Sequence, residues 1–142
     1  MKFFWLLFIC LSGIICYSSC SKCMINEDEC RDDIICTEVF VTVSVPLVFS
    51  RLSIRDISHS ISVLKDSGTE LLRHEYNKPF DMGPFYAPVV NDSNLSSIEK
   101  SGSVLILTIY DISGKKISED QFAVGHDCCH VLKINGPDEI NL

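Results

Sequence analysis

Two adjacent cysteines near the end of the chain, Cys128 and Cys129, stand between His126 and His130 and constrain the fold more than any other feature. Neighbouring α-carbons lie ~3.8 Å apart, whereas an unstrained disulfide usually spans ~4.4 Å or more, so the pair is poorly placed to bridge to itself. If the segment is extended, the two side chains point to opposite faces. One of them is therefore expected to reach Cys36, at the mouth of the first strand. The other is expected to reach Cys23 or Cys30 in the N-terminal segment, or nothing. A bridge from Cys36 closes a loop of roughly 90 residues, for which chain entropy gives ~4 to 5 kcal/mol before any native strain.

Eight cysteines in 142 residues argue for an oxidising compartment, and the N-terminus agrees. Lys2 precedes the apolar run Phe3 to Cys16, and the small residues Ser18 and Ser19 follow, which are the parts of a secretory signal. The run falls short of the ~20 apolar residues that a membrane-spanning helix needs. Cys10 and Cys16 leave with residues 1–19, and residues 20–142 remain, enough for one domain with a modest core.

Charge narrows the partners. The full chain carries −7, and loss of Lys2 with the signal makes it one unit more negative. Phosphate backbones are gripped by clustered lysines and arginines, so nucleic acid is not an expected partner. Anionic membrane surfaces attract basic segments rather than acidic ones, so membrane attachment is expected to come from lipid. Residues 20–35 read as an acidic tether, with Asn26-Glu27-Asp28-Glu29 and Asp32-Asp33 but without the spacing of a calcium loop.

From Thr37 to Val45 the odd positions Val39, Val41, Val43 and Val45 are apolar, the period of a half-buried strand. Pro46, which cannot donate to a ladder, is expected at an edge or a bend. Ser60–Lys65 and Glu70–His74 flank the turn Asp66-Ser67-Gly68-Thr69 as a hairpin. Residues 77–88 hold three of the five prolines and read as a loop, Phe85–Val90 as a strand, and Leu95–Lys100 as one helical turn. Val104–Tyr110, the most apolar stretch outside the signal, is expected to be a central strand covered on both faces. Ile117–Val124, Val131–Ile134 and Glu139–Leu142 complete the series. The expected class is all-β: a single antiparallel β-sandwich of about seven strands over residues 36–142, stapled by disulfide.

Several segments carry a likeness. Tyr17-Ser18-Ser19-Cys20-Ser21-Lys22 resembles the lipobox of bacterial lipoprotein signals, particularly those of Bacteroidetes type, with Tyr17 in place of the preferred aliphatic residue. That resemblance implies acylation of Cys20, including palmitate-type chains. Cys36-Thr37-Glu38 before the valine strand, Gly83-Pro84-Phe85-Tyr86 before Val89-Val90-Asn91-Asp92, and Phe122 to Val131 followed by Gly136-Pro137 resemble the small carboxypeptidase regulatory-like lipoproteins of Bacteroidetes. The resemblance implies a transthyretin-like or Ig-like sandwich and no peptidase chemistry. Pro46-Leu47-Val48-Phe49 departs from it, since a typical member has a polar turn with glycine there.

The segment from His126 to His130 is the one constellation that could carry chemistry. In an extended strand His126, Cys128 and His130 share a face, a conceivable three-ligand metal set, but oxidation of the thiols competes with it. Cys129 with His130 as base is disfavoured because neighbours on a strand face apart. His59 and His74 read as surface residues, and Asp81, Asp92 and Asp111 as turn caps. The expected function is a non-enzymatic, cofactor-free lipoprotein of the bacterial envelope, on the outer membrane, binding a protein, peptide or glycan. The rivals are a metal or redox protein using His126, Cys128, Cys129 and His130, and a secreted inhibitor or effector without lipid.

Overall fold

A computed structural model describes Cys30 and residues 34–76 and 85–142. The expected signal peptide, the lipid-attachment residue Cys20, Cys23, most of the acidic tether and most of the proline-rich loop lie outside the described residues. Among those described, eight strands follow one another: β1 (Thr42–Val48), β2 (Ile57–Leu64), β3 (Glu70–Glu75), β4 (Tyr86–Asn91), β5 (Ser103–Asp111), β6 (Lys116–His126), β7 (Val131–Asn135) and β8 (Ile140–Asn141). They form two sheets, ordered β4-β1-β8 and β3-β2-β5-β6-β7, so the fold is an all-β sandwich.

Period-two alternation sets the inner faces. Along β5, Leu105, Leu107 and Ile109 are fully buried against Val45, Val89 and Val90 of the smaller sheet, together with Phe122, Val124 and Val131. The side chains between them face the other way, and there the expectation of double coverage fails. Val104 is 39% exposed and Ile106 only half-buried, because β5 is central within its sheet but has the second sheet on one side alone.

The first strand begins later than the valine pattern suggests and runs straight through Pro46. Its inward residues are Val43, Val45 and Leu47, while Val39 is exposed. Pro46 is tolerated for a geometric reason. The Leu47 amide donates to the Phe85 carbonyl of the β4 side at 2.8 Å, which directs the Pro46 nitrogen toward the opposite flank. On that flank β8 begins only at the Leu47–Ile140 pair, so no ladder bond is lost. The β1–β8 pair is parallel, the one exception to the antiparallel pairing expected throughout. The expected helical turn forms earlier, as a 3-10 turn over Asp92–Ser97 capped by Asn91, whose side chain accepts from the Ser93 amide.

Candidate functional site

The site is the connection between β6 and β7. β6 stops at His126 and β7 starts at Val131, so residues 127–130 form a tight turn and not the extended geometry in which the cysteine pair was weighed. Local acceptors explain it. One carboxylate oxygen of Asp127 accepts from the amides of Cys129 at 2.9 Å and His130 at 2.7 Å, and the Asp127 amide donates to the His130 carbonyl. The Cys128 amide donates to His126 Nδ1 at 3.0 Å, which assigns the ring proton to Nε2. The amides of His130 and Cys129 hold the Asp127 carboxyl below the usual carboxylate range.

Cys128 takes a left-handed backbone, φ 79°, unusual for a residue with a Cβ. The turn breaks the alternation that would have sent the two sulfurs to opposite faces, and both reach the N-terminal segment. Cys30 bonds to Cys128 with α-carbons 5.5 Å apart, and Cys36 bonds to Cys129 at 5.2 Å.

The three ligands weighed from the sequence, His126, Cys128 and His130, are not brought together as a set. His126 lies with Cys30 and Cys128, their candidate ligand atoms within 4.8 Å of one another, but the two sulfurs are halves of one disulfide and offer no thiolate. His130 turns instead to Asp92. Its Nδ1 lies 2.9 Å from Asp92 Oδ2, and its Nε2 lies 2.8 Å from the hydroxyl of Thr37.

Asp92 is the hub. Its carboxylate also accepts from the Val41 amide at 2.7 Å and the Val131 amide at 2.9 Å, so one side chain joins the N-terminal strap, the start of β7 and the turn after β4. Desolvation pushes this carboxyl up, but the bonds from His130 and from the Val41 and Val131 amides outweigh it, and the group sits below its ordinary value. In the neutral ring, the carboxylate facing Nδ1 draws the proton there, and Nε2 is then the acceptor for the Thr37 hydroxyl.

Asp92 does cap backbone amides, as a turn aspartate should, yet its pairing with His130 was not readable from the sequence. Thr37 carried no signal either: it lies 93 positions from His130. His59 stacks on Tyr110 and His74 packs edge-on against Tyr76, both away from this site. Comparisons with protein-family models, with curated proteins and with solved structures find no match, so the likeness to carboxypeptidase regulatory-like lipoproteins rests on the quoted motifs alone.

Proposed function

We propose that this chain is an exported module, tethered to a bacterial membrane through acylated Cys20, whose sandwich binds an envelope protein, a peptide or a glycan without transforming it. The observation that carries the reading is the double fastening of the N-terminal segment. Cys30 and Cys36 are both bonded into the β6–β7 turn. Disulfides at these positions suit an oxidising compartment. They also suit a domain held by its N-terminus, because tension on that end passes through covalent bonds into the longest strand, β6, instead of peeling β1 from its sheet.

The test is the intact mass of the protein taken from its native membrane, with and without reduction, followed by counting of alkylatable thiols. Added acyl mass on Cys20, with four cysteines revealed only by reduction at 30, 36, 128 and 129, supports the reading. A soluble chain with unmodified Cys20 overturns the tether and favours a secreted protein. Free thiols at 128 and 129 in the native state favour a metal or redox role.

A further inference from the structure

We propose that Thr37 is an acyl-accepting nucleophile, activated by His130 and positioned through Asp92, and that it takes the acyl group of neutral carboxylic esters and thioesters. The inference goes beyond the binding-module reading and does not depend on it. The structure aligns a hydroxyl, an imidazole and a carboxylate in series: Thr37 Oγ1 to His130 Nε2 at 2.8 Å, and His130 Nδ1 to Asp92 Oδ2 at 2.9 Å. Nucleophile, base and orienting group within hydrogen-bond reach in that order are the geometric requirement for activating a hydroxyl, whatever the fold.

The parts are also held as activation needs. Two backbone amides and the imidazole fix the Asp92 carboxylate, which fixes the ring plane. His130 and Asp92 are largely buried, at 17% and 11% side-chain exposure, while Thr37 at the head of the series is exposed. The Cys36–Cys129 bond, one residue from both Thr37 and His130, holds hydroxyl and base together.

The surroundings select the substrate. Glu38 beside Thr37, Asp127 in the adjoining turn and the chain's net −7 disfavour anionic donors. Ile35, Val39 and Phe40 flank Thr37 along the strap, 96%, 65% and 62% exposed, and offer apolar surface to an acyl chain. In the step itself, the Thr37 oxygen attacks the carbonyl carbon as His130 Nε2 takes the hydroxyl proton. The tetrahedral intermediate collapses with cleavage of the bond to the leaving oxygen or sulfur. The proton on Nε2 passes to the departing alkoxide or thiolate, or to solvent when a phenolate leaves. The products are an ester on Thr37 and the free alcohol or thiol.

The experiment treats the disulfide-intact protein with p-nitrophenyl acetate, follows phenolate release, and locates the acetyl group by peptide mapping. A burst approaching one equivalent, with acetyl on Thr37, is expected. Thr37→Ser retains it and Thr37→Val loses it. His130→Gln, which can still hydrogen-bond both neighbours, slows acylation by about 10²–10⁴-fold, the usual worth of a positioned base, with disulfide pairing unchanged. Asp92→Asn slows it as well, while Thr37→Ser/Asp92→Asn does not recover the single Ser variant's rate. If the His130 variant fails to fold, the two surface variants at Thr37 carry the test. Acetyl found only on lysines or the N-terminal amine, or a folded His130→Gln protein acylating Thr37 at the original rate, overturns the proposal.

Discussion

The two disulfides should be strongly non-additive, and the structure sets the size of the effect. Alone, either bond closes a ring of more than ninety residues, given sequence separations of 98 and 93. The loop-entropy relation assigns such a ring ~4.7 kcal/mol at 25 °C. Once one bond is in place, the second closes only a small ring, residues 30–36 on one side and 128–129 on the other. For a ring of about nine residues the same relation gives ~2.5 kcal/mol. Removing either bond therefore costs only the smaller amount, because the survivor still restrains the unfolded chain. Removing both costs ~7 kcal/mol, more than twice either single loss.

The assay is urea unfolding of Cys30→Ser/Cys128→Ser, Cys36→Ser/Cys129→Ser and the fourfold variant, with the denaturant slopes compared to detect a changed unfolded state. If each paired variant lost ~4–5 kcal/mol and the fourfold variant their sum, the shared-ring reasoning would be refuted.

Other consequences follow from single side chains. Ser62 is fully buried and its hydroxyl has no hydrogen-bond partner among the described residues, so Ser62→Ala should stabilise the protein by about 1 kcal/mol in the same urea assay. Phe122 is 1% exposed, and Phe122→Ala should cost about 3–5 kcal/mol. Gly136 has φ +135°, and a Cβ there would lie 2.5 Å from the Phe122 ring, so Gly136→Ala should lose about 1–3 kcal/mol by thermal melting. The Asp92 carboxyl is lowered from 3.8 in the folded protein. Its contribution to stability is therefore complete above the unfolded-state value, ~3.9, and disappears as pH falls through the lower folded value. Acid titration of unfolding should show a shallower loss below about pH 4 for Asp92→Asn than for the parent; identical acid limbs would count against the Asp92 hydrogen-bond hub.

Strands were legible where one physical signal dominated. The alternation of Val43 and Val45 marks an inner face, and the apolar run of β5 marks a central strand. Boundaries were less legible because tertiary bonds set them. The valine period extends back to Val39, but Asp92 takes the Val41 amide and the disulfides hold the preceding residues against the β6–β7 turn, so pairing starts at Thr42. Pro46 looked like an interruption since the position where β8 begins is set by a strand almost a hundred residues later.

At the site, the unusual cysteine pair drew attention to the right segment, and the extended geometry weighed for it is not the one it takes. Asp127, whose carboxylate takes the amides two and three residues on, is a local turn signal that alternation alone overlooks. The relay through Thr37, His130 and Asp92 was beyond sequence reasoning. Its members are separated by 93 and 38 positions, and none stands in a recognisable motif.

The Cys30–Cys128 bond also decides what a protease cut close to the domain can separate. Residues 30–36 and 128–129 form a closed covalent ring through the two sulfur bridges. A protease that cuts any one peptide bond between Cys30 and Cys36, for example after Arg31, opens that ring without dividing the molecule. The N-terminal fragment stays attached through the Cys30–Cys128 bond alone, because Cys36, Cys128 and Cys129 all lie on the other fragment. For a cut at these positions separation requires two events, a cut and a reduction, so a population nicked there would run as one band until thiol is added.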